Sequence, residues 1–184
     1  MTDLYDNMEY SLSDQDIEKY LYDKKVKIMS YDRLTDYQNI NELLPRTRDA
    51  VVLLYRRKEN YGHWVCLCRD NNKLFFYDPL GYRPDKQLYW TEKYLRKSLN
   101  QDEPHLSYLL NDALKRKYKI FFNETKYQKE EQAINTCGRH IVNFINYFMK
   151  AKNPSFKEFY NIMVSNLKHH ELNNFDLLVS KIIN

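Results

Sequence analysis

The chain has 184 residues, 43% of them hydrophobic, which is enough for one globular domain with a core of ordinary size, and a single domain spanning 1–184 is expected. It has three cysteines, an odd number that argues against a disulfide framework. It also has only three glycines where average usage of ~7% would give about 13, which excludes the Gly-rich phosphate loops GxGxxG and GxxxxGK(S/T). The formal net charge of +4 is uneven: residues 1–49 carry seven basic and eleven acidic groups, whereas residues 50–184 carry 22 and 14, an acidic lead segment on a basic body that can attract a polyanion.

In chain order, Ser13-Asp14-Gln15-Asp16 ahead of Ile17, Tyr20 and Leu21 predicts a capped helix, with Asp16 in a capping-box-like position three residues after Ser13. A second helix is expected over Asp36–Leu44, ending at Pro45. The apolar run Ala50–Tyr55 has strand length, and Gly62–Arg69 and Lys73–Asp78 flank the turn residues Asn71-Asn72 as a β-hairpin. Helices are predicted over Leu88–Leu99 and His105–Lys117, and a short strand over Tyr118–Phe122. From Cys137 onward, Ile141, Val142, Ile145, Phe148 and Met149 fall on one face at helical spacing. Phe156–Leu167 and Leu172–Ile183 read as two more helices. Strands in the middle with helices on either side predict an α+β fold. No apolar run reaches 18 residues and Met1–Tyr10 is polar and acidic, so neither a membrane span nor a secretory leader is expected.

The glycines sit beside reactive side chains: Gly62 precedes His63, Gly81 follows Asp78 by three, and Gly138 follows Cys137. Cys, His and Asp are a thiol nucleophile, its base and the base's orienter. If Asn71-Asn72 is a two-residue loop, Asp70 faces Lys73 and Asp78 lies opposite Val65, on the same face as His63 and diagonal to it. A four-residue loop keeps this register, and a three-residue loop shifts it by one. A sulfur at a helix N-terminus is favoured as a thiolate by the unpaired N–H groups and the helix dipole. The same N–H groups, with a side-chain amide such as Gln132, can hold an oxyanion. Taken singly, Cys137 also reads as a buried small hydrophobe and His63 as a strand histidine beside Trp64. Cys66 and Cys68 share the Trp64 face and read as core; His105, His169 and His170 read as surface. The C-x-C and C-x-x-H spacings of Cys66, Cys68, Cys137 and His140 are not a standard zinc pattern, so no metal is expected.

Gly62-His63-Trp64, Leu74-Phe75-Phe76-Tyr77-Asp78-Pro79-Leu80-Gly81-Tyr82, Gln132 and Asn135-Thr136-Cys137-Gly138 together resemble the adenovirus-type maturation proteases (adenain). Related cysteine proteases occur in virophages and Maverick/Polinton elements, and the wider clan includes the ubiquitin-like-protein proteases. The resemblance covers most of residues 11–150, closely at the three motifs and loosely elsewhere, and the Asn, Lys, Tyr and Ile bias suits a virophage or giant-virus relative. It implies a papain-like, adenain-like fold, with a central mixed or antiparallel sheet packed against a helix that carries the nucleophile. It further implies Cys137 as nucleophile, His63 as general base and acid, Asp78 as its orienter, and Gln132 with the Cys137 N–H as oxyanion hole. The Gln-to-Cys spacing is five here, where the family usually has six or seven, which leaves Gln128 as the alternative.

The resulting expectation is a viral, virophage-like cysteine endopeptidase that processes capsid precursor proteins during virion maturation, in the virion and at cytoplasmic assembly sites of the host cell. No cofactor is needed for the chemistry. Activation by viral DNA or a viral peptide is compatible with the resemblance, although no cysteine matches the one through which the adenoviral peptide is attached. A monomer without membrane association is expected. The rival readings are a ubiquitin-like-protein deconjugating isopeptidase and a non-catalytic DNA-binding scaffold on the same fold.

Overall fold

The structure, a computed structural model, describes residues 4–58 and 61–184. A helix α1 (Leu4–Glu9) precedes α2 (Asp14–Tyr20), whose capping box is formed as expected: the Ser13 hydroxyl accepts from the Asp16 N–H, and Asp16 accepts from the Ser13 N–H. Strand β1 (Val26–Ser30), a 3-10 turn (Tyr31–Asp36) and α3 (Ile40–Leu43) lead to β2 (Ala50–Lys58), β3 (Tyr61–Asp70) and β4 (Lys73–Tyr77). After a second 3-10 turn (Lys86–Trp90) come α4 (Lys93–Ser98), α5 (His105–Lys115), β5 (Lys119–Phe122), α6 (Cys137–Lys150), α7 (Phe156–His169) and α8 (Phe175–Ile182).

The strands lie in the order β1-β2-β3-β4-β5, with parallel pairs at the two edges and an antiparallel β2-β3-β4 centre, so the sheet is mixed. Its two faces follow the alternation of side chains along each strand. Val52, Trp64, Cys66, Cys68, Phe75 and Tyr77 face α6, which contributes Ile141, Val142, Phe144, Ile145 and Phe148, with Phe159 of α7 and Leu178 of α8 behind it. Val51, Leu53, Tyr55, Val65, Leu67, Leu74 and Phe76 face Leu106, Leu109, Leu110 and Ala113 of α5 and the side chains of Leu34 and Leu43. Burial on both faces explains why Ala50–Tyr55 reads as an unbroken apolar run instead of an alternating one.

Several predicted boundaries move. The helix expected over Asp36–Leu44 is instead the 3-10 turn ending at Asp36 and a separate α3. Asn39 interrupts it in an extended conformation, where its side chain caps the N–H groups of Asn41 and Glu42. The helix expected over Leu88–Leu99 breaks where Thr91 and Glu92 are extended. The α5 helix ends early because Lys117 adopts φ +67°, and α8 starts at Phe175 because Asn174 caps it, after Glu171 at φ +55°. Both α1 and β1 lie where no element is expected from the local pattern. Residues 1–3 of the acidic lead segment lie outside the described residues. Among the described residues, no helix is long and apolar enough to cross a membrane.

Candidate active site

Asn71, at φ +54°, and Asn72 make the two-residue hairpin turn, and the register pairs Asp70 with Lys73 and Cys66 with Tyr77. Asp78 follows one position after β4, where Pro79 lacks the N–H needed to continue the ladder. The chain then turns: the Gly81 N–H donates to the Asp78 carbonyl at 2.8 Å, with Gly81 at φ +75°, a conformation open to glycine. Asn123, the first residue after β5, clamps the Asp78 backbone from the neighbouring strand. Its Oδ1 accepts the Asp78 N–H at 2.9 Å, and its Nδ2 donates to the Asp78 carbonyl at 2.7 Å. The Asp78 carboxylate, fully buried, is thereby delivered to the ring of His63, with Oδ1 2.7 Å from Nε2.

His63 and Asp78 belong to the sheet face opposite α6, whereas Cys137 is the first residue of α6 in the other layer. The three groups meet at the open end of β3 and β4. With Nε2 given to Asp78, the Nδ1 edge of the ring is left for the sulfur. Burial pushes the Cys137 thiol up, but its hydrogen bond to His63, the charge of that ring and the backbone N–H groups of Trp64 and Gly138 together hold it below the ordinary thiol value. Burial opposes the charged form of His63, yet the Asp78 carboxylate, followed by Cys137, raises it to about 10. The arrangement favours a thiolate–imidazolium pair.

A cavity of about 440 Å³ opens onto this pair, walled by Leu80, Trp90, Tyr61 and the segment Gln128–Gln132. Gln132, the expected amide donor, is exposed. Gln128 is buried in the same cavity, with its backbone N–H on the Pro79 carbonyl at 3.0 Å and its Nε2 on the Ile134 carbonyl at 3.2 Å. Tyr61 and Gly62 connect this cavity to a second one of about 330 Å³, lined by Leu12, Ile28, Met29, Leu54 and Trp64.

Three buried polar residues that sequence reasoning did not single out hold the site. Gln87 donates from Nε2 to Asp78 Oδ2 at 3.0 Å, and Asn123 clamps the Asp78 backbone as above. Asp176 of α8 accepts from the Lys129 N–H at 3.1 Å and from the Thr136 hydroxyl at 2.5 Å, and lies 3.1 Å from His140 Nε2. A single carboxylate thus grips both ends of the segment between Gln128 and Cys137. These partners lie far apart in sequence, so no local pattern marks them. Cys66 and Cys68 are buried in the core as expected, and burial raises the Cys66 thiol. His140 points to Asp176, and among the described residues no group of three or more His, Cys, Asp or Glu side chains is placed to hold a metal ion.

No family model matches the chain. Over 133 residues it is 41% identical to the uncharacterized protein V9 of Sputnik virophage, covering 72% of this chain and 73% of V9. The chain belongs to the V9 family. Among solved structures, the V9-family chain resembles the ASFV pS273R protease with a TM-score of 0.52 at 12% identity, over 97% of this chain and 68% of that one. It also aligns with the central domain of the uncharacterized Lpg1148 protein of Legionella pneumophila, at a TM-score of 0.46 and 15% identity over 94% of each chain. At such identities the likeness is one of fold, and the fold that this V9-family member shares is a viral protease's.

Proposed function

We propose that the protein is a cysteine endopeptidase that cleaves capsid precursor proteins during virophage maturation. The observation that carries this reading is the buried His63–Asp78 pair, 2.7 Å apart, set against a cysteine at the start of a buried helix. In this reading the Cys137 thiolate attacks the peptide carbonyl carbon, and the new oxyanion is held by the Cys137 N–H and a side-chain amide. The imidazolium of His63 gives its proton to the departing amine, leaving a thioester and a neutral ring. The ring then takes a proton from water as its oxygen attacks the thioester, and collapse of that adduct expels the sulfur as thiolate with the acid product, which restores the thiolate–imidazolium pair.

The amide is assigned to Gln128 in preference to Gln132. An oxyanion donor is effective when it is held in place before the charge develops, and Gln128 is buried and anchored at both its backbone and its side chain, while Gln132 is exposed. The fold it shares with a viral protease and its membership in a virophage protein family support the viral setting. Virion and cytoplasmic assembly sites, and stimulation by viral DNA or a peptide, are part of the same proposal.

The test is incubation of the purified protein with the virophage capsid precursor and, in parallel, with ubiquitin-like conjugates. Cleavage of the precursor by wild type but not by Cys137→Ala is the expected result. Turnover of the conjugates alone would replace this reading with an isopeptidase. Salt-sensitive DNA binding without any turnover, even with DNA and capsid peptides added, would replace it with a scaffold.

A further inference from the structure

We infer that Gln87 is a positioning residue for the reaction, acting through the Oδ2 oxygen of Asp78 to present Oδ1 to His63. This deepens the proposed peptidase reading and rests on it. The Asp78 carboxylate has no solvent exposure, and three donors fix it. Oδ1 faces His63 Nε2 at 2.7 Å and accepts the Leu80 N–H at 2.8 Å, and Oδ2 accepts Gln87 Nε2 at 3.0 Å. Asn123 fixes the backbone of Asp78, but Gln87 is the side chain that stops its carboxylate from turning.

Gln87 is itself held rigidly. It belongs to the 3-10 turn Lys86–Trp90, which starts from Asp85 at φ +64°. Asp85 is buried and accepts from the hydroxyls of Tyr31 and Tyr55, at 2.6 and 3.0 Å, and from the Ser107 N–H at 2.8 Å, while its own N–H donates to the Tyr55 oxygen at 3.0 Å. Tyr31 and Tyr55 stack with their ring centroids 4.6 Å apart. The turn carrying Gln87 is therefore fastened to the sheet and to α5 before Gln87 reaches the carboxylate.

The orientation of the amide distinguishes this role from packing. With Nε2 aimed at Asp78, Oε1 is buried without a hydrogen-bond partner among the described residues. A buried unpaired acceptor is costly, and a Met or Leu would fill the same space without one. A glutamine at this position gains over them only through its N–H on Asp78.

The experiment uses Gln87→Met, which keeps volume and removes the donor, and Gln87→Asn, whose amide is one methylene too short to reach Oδ2. The His63 ring is titrated by NMR in the Cys137→Ala background, and Cys137 alkylation is followed against pH in the otherwise wild-type chain. Thermal melting reports folding of each variant. Both substitutions are expected to leave a cooperative melt and to lower the His63 titration, because a carboxylate free to turn spends less of its time with Oδ1 on the ring. Against the capsid precursor, kcat is expected to fall about tenfold with KM unchanged, since Gln87 does not line the cavity that would take the substrate. A folded variant whose His63 titration and Cys137 pH profile both match wild type overturns the inference. If only one variant folds, that variant decides. A wild-type Cys137 that reacts only as an ordinary thiol tells against the peptidase reading instead, and the NMR arm still reports on Gln87 separately.

Discussion

Thr136, the residue before the cysteine, donates its hydroxyl to Asp176, 40 positions further along the chain in the C-terminal helix. That carboxylate also accepts the Lys129 N–H, so the segment carrying Gln128's neighbours and leading into Cys137 is tied at both ends to one buried group. Asp176→Ala leaves the buried His140 and two donors without their acceptor. A buried donor left unsatisfied costs about 1–3 kcal/mol, which a denaturant melt would register. Asp176→Asn, which retains an acceptor, is expected to lose less.

A thiolate–imidazolium pair at Cys137 and His63 is expected to set the pH dependence. Because His63 draws Cys137 below the ordinary thiol value, iodoacetamide labelling of Cys137 is expected to reach half its maximal rate at a lower pH than labelling of a free thiol. In His63→Ala only burial remains to oppose these backbone N–H groups, so the onset moves upward. On the alkaline side, where the Asp78 carboxylate raises His63 to about 10, the proposed peptidase activity is expected to decline for want of the acid that protonates the leaving amine. Peptide mass spectrometry across pH 5–11 (about one point per unit) checks the first two statements, and a precursor-cleavage profile checks the third.

The two glutamines are expected to separate cleanly. Loss of one preorganised oxyanion donor costs about 10²–10³ in kcat, so Gln128→Ala should fall by that factor while Gln132→Ala stays near wild type. Steady-state rates on the capsid precursor measure both. The reverse order would return the oxyanion role to Gln132.

Gly62 stands next to His63 for a steric reason. A Cβ there would lie 1.9 Å from the Tyr55 carbonyl oxygen on β2, so Gly62→Ala must force β3 away from its neighbour. The substitution is expected to cost about 1–3 kcal/mol or more, the scale of overpacking a filled site, and to slow Cys137 labelling by displacing the adjacent histidine. Thermal melting and alkylation rates, read together, test this.

Local chemistry is the part of this protein that is legible in its sequence. The Asn71-Asn72 turn implies the register that puts Asp78 beside His63, Ser13 and Asp16 imply the capping box, and the apolar stripe from Ile141 to Met149 implies α6. The illegible part depends on distant partners. β1 is a half-buried edge strand whose identity comes from parallel pairing with β2, and α1 packs through Met8 against Ile134 and Leu177. Gln87, Asn123 and Asp176 look like ordinary polar residues until the fold buries them against Asp78 and Thr136. The breaks at Asn39 and Thr91 reflect capping and extended backbone that override a run of acceptable helix formers.

The helix that begins at Cys137 is also moored to the segments around Tyr10 and Ile183. The Arg139 guanidinium donates to the carbonyls of Tyr10 and Ile183, and Asn135 joins Met8 and Glu9 through its N–H and its side-chain amide. The setting of Cys137 is thus assembled from α1 and α8 together, so a substitution that loosens either helix is expected to reach the cysteine without touching the sheet.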